Sequence, residues 1–247
     1  MRSTPGLVDA HSHLRSTALI DHGVPGTCLE DSILRMNAMT AVDQRDDALV
    51  ASGNLLLSGF TGVQIIFHTF GNPDHYLATL GAMIDGIQSS GIRARIILAI
   101  TDQCEFIPER LRDFPFPPFV NPGERMKPSQ FEEVVVEALR RFPRSHMQRG
   151  WIKESPLVRL RRFGLLNSRA SFAHAIWLTS DELAEVKNSG AQLVTCPHSN
   201  QILRAGTAPI QSWLDLDIPF AIGLDISSDP HSLRRRFDSK WTSDFQR

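Results

Sequence analysis

Cysteine is scarce in this chain. The 247 residues hold three, Cys28, Cys104 and Cys196, far apart and in no CxxC pattern. That spacing excludes a disulfide framework and indicates no thiolate zinc site. Long apolar runs are lacking as well. Nothing at the N-terminus reads as a secretory leader and nothing reaches the length of a membrane span, so a reducing cytoplasm is the expected location. Neither sign of charge dominates: 26 Lys and Arg stand against 27 Asp and Glu, a net charge of −1. This balance gives no reason to expect nucleic acid or an anionic membrane as a partner. The basic run Arg234, Arg235, Arg236 is too short to change that and reads as a solvated helix face. Internal repeats are absent, and no strand is followed by a glycine-rich phosphate loop, which argues against a nucleotide-binding doubly wound sheet.

What remains is an ordinary globular composition, 42% hydrophobic and 21% charged, in a length that equals a typical (β/α)8 barrel. The periodicity supports an α/β fold. Val8 onward reads as a strand, and Val42 to Leu57 as a helix stopped at Ser58-Gly59. Thr61 to His68 is a β-branched and aromatic strand, Tyr76 to Ser90 a helix ended by Gly91, and Ile92 to Ile100 a third strand. Toward the C-terminus, Ala170 to Ile176, Gln192 to Cys196 and Ile218 to Leu224 read as strands. The helix between the first two opens on a capping-box pattern, Thr179 with Glu182, and stops at Gly190. Six strands alternating with helices predict a parallel sheet with crossover helices, closed as a barrel. The middle departs from this rhythm. Residues 102–169 offer a proline-rich loop (FPFPPFVNP, 114–122), a helix around Gln130 to Arg141 and the basic stretch RRFPRSHMQRGW (140–151), with no strand pattern.

Polar groups able to bind metal gather where a parallel barrel keeps its chemistry, at the C-terminal ends of strands. In GLVDAHSHL (6–14), His11 and His13 are two residues apart on a strand, so both rings face one side, roughly 7 Å apart along the backbone. His68 ends the next strand, His174 lies in the strand at 170–176, His198 follows its strand, and Asp225 ends the last one. Each also has a structural reading. His68 packs under a loop, His198 shapes a turn after Pro197, and Asp225 caps a following helix. His22, His75 and His231 read as surface residues, and Trp177 with Leu178 as packing.

The segments GLVDAHSHL, FAHAIWLTSDEL (172–183), CPHSN (196–200) and AIGLD (221–225) occur in this order, with spacings that resemble the amidohydrolase superfamily. The branch most similar contains cytosine deaminase, S-adenosylhomocysteine deaminase and the triazine hydrolases. The resemblance runs from Gly6 to about Thr101 and from Ser155 to Asp225. It implies a (β/α)8 TIM-type barrel, here a single domain over 1–247, with N-terminal βα units in 1–101, a shortened middle in 102–169 and C-terminal units in 170–247. It also implies that the barrel is incomplete around strands four and five and lacks the family's small β-domain.

For the site, the resemblance implies one divalent ion, zinc or iron, held by His11, His13 and Asp225, which lowers the pKa of a bound water. Asp225 would take the water's proton, and His174 would face the substrate and stabilise the oxygen forming on the attacked carbon. The family's fifth-strand histidine sits in a motif with a glutamate. The nearest stretch here, Arg144-Ser145-His146-Met147-Gln148-Arg149, has no glutamate, so His146 is not carried over as a ligand, and His174 or His198 becomes the candidate fourth ligand. Two functions follow. One is a metal-dependent hydrolase of carbon–nitrogen, non-peptide bonds that deaminates a small heterocyclic compound. The other is a degenerate, inactive amidohydrolase remnant with weak or no metal binding. The expected partner is a small-molecule substrate, with neither nucleic acid nor membrane, and homo-oligomerisation is left open.

Overall fold

Seven parallel strands carry the architecture among the residues that this computed structural model describes: 5–17, 19–24, 32, 35–36, 42–69, 72–99, 126, 128–141, 145–147, 157, 161 and 164–225. In chain order these are β1 (Leu7–Ser12), a 3-10 turn (Leu19–His22), α1 (Gln44–Leu57), β2 (Phe60–Phe67), α2 (Pro73–Ser90), β3 (Arg93–Leu98) and α3 (Pro128–Arg141). They continue with β4 (Ser145–Met147), β5 (Ser171–Ala173), α4 (Ser180–Ser189), β6 (Gln192–Thr195), α5 (Pro197–Ile202), α6 (Ile210–Asp215) and β7 (Phe220–Ile222).

The strands form two sheets, β1-β2-β3-β4 and β5-β6-β7, parallel throughout. A parallel bridge between Ser12 and Asp225 joins β1 of the first sheet to the end of β7 in the second. Parallel neighbours require crossovers, and the helices supply them.

Local chemistry sets the helix ends. Asp43 caps α1 by accepting from the backbone N–H of Asp46 (3.0 Å), and Asn72 caps α2 by accepting from that of His75 (2.9 Å), with Pro73 following at the first helical position. This Asn-Pro start places α2 three residues ahead of the predicted Tyr76. The capping box of α4 is as predicted: Thr179 Oγ1 accepts from Glu182 N (3.3 Å) and Glu182 Oε2 accepts from Thr179 N (2.8 Å). Gly91 and Gly190 end their helices in the left-handed conformation.

Two apolar clusters fill the layers. Phe60, Ile65, Leu80, Met83, Leu98 and Phe131 bind the first sheet to α1, α2 and α3; Leu183, Val186, Leu193, Trp213 and Ile218 bind the second to α4 and α6. The helices α1 and α2 approach closely at Gly86. A methyl group there would lie 2.2 Å from the carbonyl oxygen of Arg45.

Three expectations change. Ser145–Met147 is a strand, paired in register with Ile96 to Leu98, so the middle does contribute to the first sheet, and His146 lies opposite Ile97. The strand predicted over 170–176 stops at Ala173, because His174 and Ala175 take left-handed backbone angles (φ 66° and 46°). Trp177 is 81% exposed rather than packed, its indole N–H donating to the carbonyl of Ala205 (3.0 Å). Cys28, Cys104, His231, the proline-rich loop and the basic run at 234–236 lie outside the described residues.

Candidate metal centre

Along β1 burial deepens toward the C-terminal end: Leu7 and Val8 are exposed, while Asp9, His11 and Ser12 are buried. The pairing with β2 slips between Asp9 and Ser12, where Asp9 faces Val63 and Ser12 faces Ile65. Three steps on β1 thus match two on β2, a bulge of the kind that re-aims a side chain beside a functional site. Gln64 accommodates it, its amide nitrogen donating to the displaced carbonyl of Ala10 (2.9 Å).

At this point β1 meets the end of β7. The N–H of Asp225 donates to the carbonyl of His11 (2.6 Å), and the N–H of His13 donates to the carbonyl of Asp225 (3.1 Å). A methyl group on Gly223 would lie 2.6 Å from His11 Cβ and 2.9 Å from its backbone nitrogen, so the approach demands glycine. Asp225 itself has φ 59°, a left-handed angle that is rare for a residue with a side chain and that clusters at functional sites. Local backbone therefore aims its carboxylate inward.

Three predicted residues come together. Asp225 Oδ1 lies 3.5 Å from His11 Nε2 and 3.3 Å from His13 Nε2, and the three ligand atoms are all within 4.8 Å of one another. The ring centroids of His11 and His13 are 5.7 Å apart, with the planes nearly perpendicular. His174 joins from β5, its Nε2 3.8 Å from Asp225 Oδ2 and its ring 5.6 Å from that of His11. His198 sits in α5, half-buried, and His68 just beyond β2, half-buried as well. Neither belongs to a ligand cluster among the described residues. His22 accepts or donates at Thr17 Oγ1 (2.5 Å) and His75 is at the exposed start of α2.

Burial and charge set the protonation states a cation would require. Burial pushes the His11 imidazole below its ordinary value despite the opposing carboxylate, which keeps its lone pair free. Burial alone would raise the Asp225 carboxyl, but hydrogen bonds and charge from His11 and His13 carry it well below the usual range, so it is ionised at neutral pH. Neutral imidazoles and an ionised carboxylate are the forms that bind a divalent ion.

Four supporting groups escaped the sequence reading. Asp9 is buried beneath the cluster, its Oδ1 accepting from the N–H of His11 (3.1 Å) and of Leu224 (2.9 Å), and burial pushes its carboxyl up to about 7. Ser199 and Asn200, on α5, are buried against Asp225 and His174 respectively. Cys196 Sγ forms a second cluster with His11 and His174, although spacing alone offered no thiolate site; burial pushes this thiol up and so disfavours the thiolate. Ser199, Asn200 and Cys196 all lie in CPHSN, the segment that also carries His198. Asn200 also lines a cavity of about 470 Å³ with Thr195, Gln201, Arg204 and Thr207.

No family model matches the chain. It is 26% identical over 262 aligned positions to a 5-methylthioadenosine/S-adenosylhomocysteine deaminase of Teredinibacter turnerae, covering 93% of this chain and 57% of that protein. Its fold superposes on a triazine hydrolase from Arthrobacter aurescens with a TM-score of 0.68 at 16% identity, covering 92% of this chain and 60% of that one. It also superposes on an adenosine deaminase from Xanthomonas campestris with bound zinc, with a TM-score of 0.58 at 22% identity, covering 94% and 58%. The chain thus spans under two thirds of the length of each. The paired histidines at the end of β1 and the aspartate after β7 thus stand on a fold shared with these enzymes.

Proposed function

We propose that the chain is a metal-dependent hydrolase of carbon–nitrogen, non-peptide bonds, deaminating a small heterocyclic compound. The observation that carries this is the convergence of His11, His13 and Asp225 from the first and last strands, with His174 beside them. The two sheets, joined at Ser12 and Asp225, support a (β/α)8-type barrel forming one domain over 1–247, with an irregular, shortened middle at 102–169. His11, His13 and Asp225 would hold one divalent ion, zinc or iron, since two imidazoles and a carboxylate suit either. Such an ion supplies Lewis acidity, which brings water within reach of deprotonation near neutral pH.

The chain's own groups do the rest. Asp225 Oδ1 faces the two histidines, while Oδ2 accepts from Ser199 and lies toward His174, so one carboxylate both binds and can accept a proton. Water adds to the carbon that bears the amino group, a C–O bond forms, and the C–N bond breaks. The proton passes through Asp225 to the departing nitrogen, giving a carbonyl compound and ammonia. His174, beside Asp225 Oδ2, would contact the substrate at the attacked carbon. The relatives' names point to adenosine-type amines as the first compounds to try.

The test is metal content per chain with the His11→Ala variant alongside, followed by ammonia release from 5-methylthioadenosine. About one equivalent of metal, lost in the variant together with ammonia release, is the expected result. Ammonia release that survives His11→Ala would defeat the mechanism. The inactive-remnant reading has its own support in the stretch 144–149, which carries no glutamate beside its histidine. No bound metal in the native chain, with no turnover of any aminated heterocycle, would favour it.

A further inference from the structure

The short helix α5 presses two consecutive polar side chains against the cluster. The Ser199 hydroxyl donates to Asp225 Oδ2, and the amide oxygen of Asn200 lies 2.6 Å from His174 Nδ1. Asn200 is buried and its backbone is tied at both ends: its N–H donates to the carbonyl of Cys196 (2.9 Å), and its carbonyl accepts from Ala205 (2.9 Å). His174 is equally constrained from its own side. It and Ala175 hold left-handed angles, and the N–H of Ala175 donates to the carbonyl of Ala173 (2.9 Å). Backbone in that region persists where the surroundings impose it. A ring with its Cα fixed and its Nδ1 anchored has one orientation left.

The anchor also decides where the ring carries its proton. An amide oxygen accepts and cannot donate, so a 2.6 Å contact to it requires the hydrogen on Nδ1. In the neutral ring Nε2 is then bare. It stands 3.8 Å from Asp225 Oδ2, beyond hydrogen-bond length, and that oxygen already accepts from Ser199. We propose that Asn200 is a positioning residue that fixes His174 as the Nδ1–H tautomer and presents an unprotonated Nε2 to the space between His11 and Asp225. Histidines that serve a cation do so with the other ring nitrogen donating to an oxygen, the arrangement found here. A lone pair at that point suits ligation or proton acceptance, whereas the Nε2–H form would suit only donation. The use of this lone pair rests on the proposed metal centre; the tautomer itself does not.

The experiment is a long-range proton–nitrogen correlation spectrum of the metal-stripped full chain, labelled with ¹⁵N-histidine, at about pH 8.5, where imidazoles are neutral. His174→Gln assigns the signal. The expected spectrum shows pyrrole-type Nδ1 and pyridine-type Nε2 for His174 in the native chain. In Asn200→Leu the ring should revert to Nε2–H, the form imidazole prefers in water. Nε2–H in the native chain overturns the proposal, as does an unchanged tautomer in Asn200→Leu. If Asn200→Leu does not fold, Asn200→Ala takes its place, and the native spectrum alone still decides the tautomer. Zinc uptake on adding the metal back to the same preparations separates the two readings, because Nδ1–H in a chain that takes up no zinc would defeat the metal centre and leave this assignment standing.

Discussion

Asp9 Oδ1 accepts the backbone N–H of Leu224, a residue 215 positions later in the chain, at 2.9 Å. The same oxygen accepts the N–H of His11 at 3.1 Å. One buried carboxylate therefore ties the strand that carries His11 to the turn that carries Asp225. Asp9→Ala should leave both N–H groups without partners in a dry interior, a cost of about 2–6 kcal/mol at about 1–3 for each. Urea unfolding would measure it. Asp9→Asn keeps an accepting oxygen and should lose markedly less; equal losses in the two variants would mean that the side chain acts only by filling space.

Gly223→Ala puts a methyl group 2.6 Å from His11 Cβ and 3.0 Å or less from His11 backbone atoms. Strand β1 must move away, at about 1–3 kcal/mol for overpacking. Because the displaced residue is a proposed ligand, zinc affinity measured by competitive chelation should fall at least about tenfold, the low end for disturbing a ligand's support.

Gly86→Ala is the matching control at a distance from the site. Its methyl group would sit 2.2 Å from the carbonyl oxygen of Arg45, forcing α1 and α2 apart. Thermal unfolding should show a loss of about 1–3 kcal/mol. Zinc affinity per folded molecule should be unchanged, and a parallel fall in both would show that the helix layer and the site are coupled.

Glu137 offers a pH prediction outside the site. Hydrogen bonds from Arg140 and Arg141, helped by their charge, bring its carboxyl down to about 2. A depressed carboxyl stabilises the fold above its unfolded value of about 4.5, and that contribution is lost as pH falls through about 2. In a carboxyl-carbon NMR titration from pH 7 to 3, Glu137 should stay flat while ordinary exposed carboxyls move. Titration near 4.5 would show that the two arginines leave it unperturbed.

The sequence reading carried far where period and caps speak. The alternation of strand and helix, the Thr179–Glu182 capping box and the strand-end positions of His11, His13 and Asp225 all depend on neighbours in the chain, and they were legible. Strand β4 was not, because three residues are too few to show a period and its state comes from pairing with Ile96 to Leu98. The six-residue helices α5 and α6 fall below the same limit. Asp9, Gln64, Ser199 and Asn200 are small polar residues whose work lies in what they touch across the fold, 26 positions away for Asn200 and 54 for Gln64, and no local pattern marks such contacts.

The bridge at Ser12 and Asp225 has a mechanical meaning. Among the described residues, the backbone bonds that join the two sheets are those between His11, His13 and Asp225. The seam between the sheets and the proposed ligands thus fall on the same three residues, one through backbone atoms and the other through side chains. Whatever draws the two imidazoles and the carboxylate together also clamps the two halves of the molecule, and by mass action it shifts opening of the seam toward the closed state. Hydrogen exchange at the amides of His13 and Asp225 would then count, amide by amide, how often the molecule comes unbuttoned.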